Sequence, residues 1–313
     1  MKLVSLTPIK NEDWCIGLTL RVLMQIVDHA VVLLHSCTDC SAEIVEKVSR
    51  ENPGRVTALM ENDRTWDEMR HRQQMLEEAR RLGATHLYLA DSDEVLSANL
   101  IPSIRDTISR VASGAICELP GYNLRGSLDR YHSNGIWGNR WFSCAFKDQP
   151  EAHWAGDKFH SRNPAGVQWR NWRPIKQGEG GILHLWGASE RRLRAKHALY
   201  KVTERLRWPA KNVKTIESEY TLWRETPPDT DKGDWARWPS TYWSAPGGWT
   251  FADVPREWWE HSGLYSQQCF TRGGGLGPDG ASAEPWQEAE VRRLVQEHGG
   301  EEKFQGLDLF GVA

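Results

Sequence analysis

The sequence predicts an α/β fold, a mostly parallel sheet with helices on both faces. Three observations predict it. Strand-length apolar runs alternate with helix-length segments as far as about residue 120. The strand runs are apolar throughout, as strands buried on both faces are. One of them, Leu87-Tyr88-Leu89-Ala90, stops abruptly at Asp91-Ser92-Asp93-Glu94, and open α/β sheets bind ligands beyond such carboxyl ends.

The elements follow in order. Lys2 to Thr7 is a short first strand, and the apolar run Trp14 to Val27 has helical length. His29 to Ser36, rich in valine and leucine, is a second strand. Ser41 to Glu51 reads as a helix closed by Asn52-Pro53-Gly54, and Arg55 to Met60 as a third strand. Thr65-Trp66-Asp67-Glu68 matches a capping box with Thr65 as N-cap. The helix it opens carries Met69, Leu76, Ala79 and Leu82 on one side and stops at Gly83. After the strand ending at Ala90, Ile101, Ile104, Ile108 and Val111 form a helical stripe, and Gly114 to Leu119 a further strand.

In extended chain, residues i and i+2 point the same way, so Asp91 and Asp93 could aim at one target past the small Ser92. A hard divalent cation carrying a diphosphate suits them, because magnesium-class ions take one or two carboxylates plus phosphate oxygens. The plain alternative is an Asp-rich turn.

The opening SLTPIKNEDW, the loop HSCTDCSAE after the second strand, and DSDE after the strand ending at Ala90 together resemble the nucleotide-sugar glycosyltransferases of GT-A (Rossmann-like) fold, family 2 in particular. The resemblance covers residues 1–120 and extends more loosely to about 207. It implies a metal-dependent transferase using Mn2+ or Mg2+ and a UDP-sugar donor. Carried over by position, Thr7, Pro8 and Glu12 would line the uridine pocket. Arg70 would reach the nucleotide or its phosphates, unless it is simply a solvated helix residue. Asp91 would face the ribose or the metal, and Asp93 would ligate the metal. The chain departs from the family at His35, where an acidic residue is common.

The later sequence supplies further candidates. Gly181 to Trp186 reads as a strand bearing His184, followed by Ser189 as N-cap and the helix ERRLRAKHALYKVTERL. The family often supplies a late histidine as a metal ligand, and His184 is the candidate; a core histidine is the alternative. The resemblance also implies a carboxylate base, since inverting family 2 enzymes use one to deprotonate the acceptor hydroxyl. Asp157, beside Gly156, is the candidate base, with Glu118 and Asp129 as rivals and a structural ion pair as the alternative.

Composition adds two features. Tryptophan occurs 17 times in 313 residues, mostly after residue 130, which favours an aromatic-lined acceptor groove, although core packing accounts for many single positions. The net charge of −3 hides an asymmetry: residues 157–214 hold 14 Lys/Arg against four acids, leaving −13 elsewhere. A basic, Trp-interleaved stretch is the footprint of a polyanion groove; the alternative is a solvated basic helix plus donor-binding residues. The narrower acceptor this suggests is a hydroxymethylated pyrimidine in DNA, as in phage DNA modification. The other readings are a cell-surface glycan or small molecule as acceptor, or a non-catalytic carbohydrate- or DNA-binding module on a transferase scaffold.

Other classes recede. No apolar run approaches the ~20 residues that span a bilayer, and the N-terminus enters a strand without a leader, which predicts a cytoplasmic protein (host cytoplasm if phage-encoded) with reduced cysteines. The lone pair Cys37 and Cys40 lacks the second pair a zinc site wants. The Gln-x-x-Arg-Trp motif of processive synthases does not occur, and Glu204 to Trp208 is only an echo of it. The domains read as 1–120, the nucleotide-sugar half; 121–210, the acceptor half; and 211–313, an irregular Trp-rich C-terminal extension. Its loop Arg272 to Pro278 lacks the Lys-Ser ending of a phosphate cradle. A last helix, Pro285 to His298, should pack through Trp286, Val291 and Leu294.

Overall fold

A computed structural model describes residues 1–63, 65–124, 130–132, 138–156, 161–187, 190–220, 235–237 and 285–312. They divide into two compact units: one within 1–122 and 136–185, the other within 123–135, 186–237 and 263–313.

The first unit is built on a nine-stranded mixed sheet. Its parallel half is β3 (Val56–Glu61), β2 (His29–His35), β1 (Leu3–Ile9) and β4 (His86–Leu89), in that order. Every residue of β1, β2 and β4 is buried, which explains their unbroken apolar character. Val4, Leu6, Val31, Leu33, Leu87 and Leu89 share a core with Met69, Met75, Leu76 and Ala79 of α3 (Glu68–Arg81). The intervening strand residues face the other side by the period of two. There α1 (Ile16–Ile26) packs with α2 (Ser41–Glu51) and α4 (Ile101–Ser109).

The other half of the sheet departs from simple alternation. β8 (Arg140–Lys147) lies between β4 and β6 (Ala115–Asn123) and runs antiparallel to both, so β6 points the same way as β4. β9 (Arg170–Trp172) pairs parallel with β6, and β10 (Ile182–His184) antiparallel with β5 (Glu94–Leu96). The expected fold class therefore holds as mixed α/β, with the antiparallel pairings of β8 and of β10 with β5 as the difference.

Two local expectations are corrected or sharpened. The N-cap of α3 is Asp67, not Thr65: the Asp67 carboxylate accepts the Arg70 N–H at 3.1 Å. The Thr65 N–H instead donates to Asp63, so a local turn takes up the residue expected to cap. At the other end Gly83 has φ +79°. Its N–H donates to Arg80 O and that of Ala84 to Ala79 O, the paired bonds that end a helix at a left-handed glycine.

In the second unit, α5 (Glu190–Arg207) packs on α6 (Val213–Glu219) and on the last helix, α7 (Trp286–Glu297). Ala198, Val202, Val291, Val295 and Phe304 form its core, with Leu294 against it. A short ribbon pairs β7 (Arg130–His132) with β11 (Trp235–Arg237). The glycine loop at 272–278 lies outside the described residues, as do most tryptophans of the extension. Among the described residues no helix is long and apolar enough to cross a membrane.

Candidate functional site at the carboxyl ends of the parallel strands

The polar loops that follow β1, β2 and β4 lie at the carboxyl ends of those strands. Two loops are tied together there. Asn11, in the left-handed region at φ +53°, accepts the Thr38 N–H at 2.7 Å. Asp39 accepts the N–H groups of Asp13 and Ser41, and the Glu12 N–H donates to Ser41 Oγ. The short polar residues of KNEDW and CTDCS thus serve as ties between the two loops.

The strand β4 leads into a turn at Asp91-Ser92-Asp93-Glu94. The extended-chain expectation fails here: the Glu94 N–H closes on Asp91 O at 3.1 Å, and the two aspartates find different partners. Ser92 is buried, and its carbonyl accepts Thr19 Oγ1 at 2.6 Å and Cys15 Sγ at 3.3 Å. The start of α1 therefore anchors the turn.

Asp93 is 3% exposed, and its Oδ1 stands 3.5 Å from His184 Nε2. The antiparallel pairing of β10 with β5 sets His184 opposite Glu94, and the Leu185 N–H donates to Asp93 O at 2.8 Å. A carboxylate and an imidazole are hard and borderline donors. Two donors about 2.1 Å from one ion and at right angles stand about 3 Å apart, so this pair at 3.5 Å would close by about half an ångström to share an octahedral divalent cation. Among the described residues no group of three His, Cys, Asp or Glu side chains forms a metal cluster. The rest of a coordination shell would come from a ligand's phosphate oxygens and water, as such ions prefer.

Asp91 is held from two sides. Arg72 Nη2 donates to its Oδ1 at 3.0 Å, and Arg162 Nη1 lies 3.6 Å from Oδ2. Burial works against its charge, but the two guanidinium groups prevail and keep the carboxyl below its ordinary range. Arg72 also bonds Glu68 at 2.9 Å, and Arg162 grips both oxygens of Glu94 at 2.5 Å. The line Glu68, Arg72, Asp91, Arg162, Glu94 is an alternating charge network beneath the turn. Sequence reading missed Arg72, although a signal was present: it falls on the buried stripe of Met69, Leu76 and Ala79 at helical spacing. An arginine on such a stripe needs carboxylate partners.

The other expected residues are placed as follows. Thr7 is fully buried with Oγ1 unpartnered, and Pro8 is buried beside it. Glu12 turns inward and accepts Trp14 Nε1. Arg70 is 38% exposed and sits among Glu61 (2.5 Å), Asp63 (3.5 Å) and Asp67 (3.8 Å). Glu118 is buried and pairs with Arg173 at 2.8 Å, which stacks on Trp141 at 4.6 Å. Asp157 and Asp129 lie outside the described residues.

At the end of β2, His35 takes a different environment from an acidic residue. It is fully buried, Lys10 Nζ donates to its Nδ1 at 3.3 Å, and its ring packs against Trp66 and His71. Both ring nitrogens of buried His71 are unpartnered. Burial is the main cause that brings its pKa down to about 4, with His35 and Arg70 adding to it. Burial likewise pushes the Cys37 thiol up to about 11, so the Cys37 and Cys40 pair is poorly disposed to form thiolates.

Five cations of the basic stretch are held in ion pairs within their own unit. Arg162 and Arg173 take Glu94 and Glu118 in the first unit. In the second, Arg191 takes Glu288, Lys201 takes Glu217, and Lys211 takes Glu204 and Glu219. Trp154 and Trp169 pack on Phe146, which makes them core residues.

No family model matches the chain, and no curated protein matches it. Solved structures do. S. aureus TarS 1-349 is similar over 72% of this chain and 71% of its own, at 14% identity and TM-score 0.42; a structure of it in complex with UDP-GlcNAc gives 72% and 72%, 15% and 0.38. The mannosyltransferase PcManGT from Pyrobaculum calidifontis, in complex with GDP-Man and Mn2+, is similar over 71% and 69%, at 12% and 0.38. Likenesses this distant assign neither substrate nor residue roles.

Proposed function

We propose that this chain is a divalent-metal-dependent glycosyltransferase that moves a sugar from a nucleoside diphosphate donor, a UDP-sugar, to a hydroxyl acceptor. The observation that carries the reading is the approach of His184, from far along the sequence, to Asp93 just beyond the carboxyl end of β4. Asp93 and His184 would hold Mn2+ or Mg2+. Such an ion supplies charge neutralisation to the diphosphate as it leaves.

The chain's own residues do the rest. Asp91, kept ionised by Arg72 and Arg162, is a fixed acceptor for donor hydroxyls. Thr7, Pro8 and Glu12 form the wall of the nucleoside pocket, with Glu12 ordering the first loop through Trp14. Asp157 removes the proton from the acceptor hydroxyl. Arg70 reaches the nucleotide or its phosphates from the start of α3.

For the acceptor, a hydroxymethylated pyrimidine in DNA is the narrower candidate. The internal ion pairs of the basic stretch weigh against it and favour a glycan or small-molecule hydroxyl. The test is a thermal-shift screen of nucleotide sugars with and without Mn2+. A UDP-sugar at 100 times its Kd should stabilise the protein by ~2.7 kcal/mol, and only with metal. Equal responses with and without Mn2+ sink the metal assignment, and donor binding without release of nucleoside diphosphate in any acceptor mixture favours a binding module.

A further inference from the structure

We propose that Arg162 is the positioning residue of the metal-holding turn, an inference that rests on the functional reading above. The turn places Asp91, Asp93 and Glu94 within four residues, and like charges so close repel one another. Arg162 arrives from far along the chain and spans the turn. Its Nη1 and Nη2 each donate to one oxygen of Glu94 at 2.5 Å, Nη2 also donates to Leu89 O at 2.7 Å, and Nη1 faces Asp91. It therefore fixes the residues on both sides of Asp93. A planar guanidinium can answer a carboxylate with two parallel bonds, which an ammonium cannot.

The same side chain also touches the other metal arm. Its guanidinium carbon lies 6.0 Å from the centre of the Phe142 ring, and that ring packs edge-on against His184 at 5.5 Å. Phe142 is seated on Gly121, where a Cβ would come within 2.5 Å of the ring. Arg162 thus meets the turn that carries Asp93 directly and His184 through one aromatic ring. Its side chain is 17% exposed and that of Glu94 4%, so the contact belongs to the interior of the site.

The experiment compares wild type with Arg162→Met, Arg162→Lys and the double variant Arg162→Met/Glu94→Gln. Mn2+ is titrated by calorimetry in the presence of UDP. Amide exchange is followed by NMR at Leu185, which donates to Asp93 O, and at Glu94, which donates to Asp91 O. The double variant removes the uncompensated buried charge. A merely structural arginine would then regain both its melting temperature and its metal affinity. A positioning arginine regains the melting temperature, while Mn2+ affinity stays down about 10- to 100-fold and both amides exchange faster. Arg162→Lys should recover part of each, and with the double variant it carries the test if Arg162→Met does not fold. If wild type takes up no Mn2+, the metal reading falls and amide exchange alone decides the role of Arg162. Wild-type affinity and wild-type protection in the folded double variant overturn the proposal.

Discussion

The turn at residues 91–94 and the helix α5 are both dense in charge and use it differently. At the turn, Arg72 and Arg162 lie beneath the strand ends and hold Asp91 and Glu94 around Asp93. On α5, the cations reach outward to clasp neighbours: Arg191 to Glu288 on α7, and Lys201 to Glu217 on α6 and to the carbonyl of Asp308. The first arrangement surrounds the carboxylate that the proposed function assigns to the metal. The second fastens a helical unit. Counting charges along the chain cannot separate the two, because each cation's partner comes from elsewhere in the sequence.

The comparison can be broken first at Asp93. Asp93→Asn should cut turnover about 100- to 1,000-fold and remove Mn2+ dependence, with the melting temperature kept. Arg191→Ala should leave turnover unchanged. Equal losses in a coupled nucleotide-release assay would erase the distinction between the two regions.

Lys201 is the converse case. It is fully buried, and Glu217 is 23% exposed. Breaking a buried pair costs about 3–5 kcal/mol, so Lys201→Met, with one partner partly solvated, should lose about 2–4 kcal/mol in urea unfolding. Its affinity for UDP with Mn2+ should not change.

A smaller effect belongs to His71 of α3, which packs against His35 at the end of β2. His71 is held down to about pKa 4 in the fold, against 6.5 for a free histidine. The unfolded chain therefore takes up a proton that the fold excludes. The stabilisation is complete above about pH 6.5 and is lost as pH falls to 4, up to about 3 kcal/mol at 1.36 kcal/mol per unit. Below pH 4 this residue adds no further loss. Urea melts across that window should show the slope, and His71→Phe should flatten it.

The smallest effects belong to exposed charge. Arg70→Ala should cost no more than about 1 kcal/mol, because the pairs at that surface are screened. If the cations of α5 are fasteners, oligonucleotide binding should lose little with salt, well short of the log–log slope of about −0.7 per contact on single strands. A steep slope, together with a mass gain on hydroxymethylated DNA, would restore the nucleic-acid reading.

The first four strands and the helices up to residue 110 were legible because clear breakers bound them, as in His29–His35 and Ser41–Glu51, whereas the short β5 (Glu94–Leu96) was not. The turn at 91–94 was legible as a polar strand end, and His184 as a histidine on a short strand. The conformation of that turn was not: the bonds from Thr19 and Cys15 to Ser92 are tertiary. β8 was missed because its sequence, RWFSCAFK, mixes polar and apolar residues and carries burial only toward its end. Its pairing with β4 and β6 is non-local, and nothing in the local pattern signals direction. Arg162 looked like one more cation in a basic stretch, since only the fold reveals its carboxylates.

The position of β8 also has a consequence for how the chain is made. Residues 1–122 contain β4 and β6, yet the strand that joins them ends at Lys147. Until that residue leaves the ribosome, both strands present open edges, which attract other chains, and their closure waits on a long-range pairing, a slow kind of step. A fragment cut near residue 120 should therefore aggregate when expressed alone. Extending it past Lys147 supplies the missing strand, although not the segment that brings Arg162 and His184.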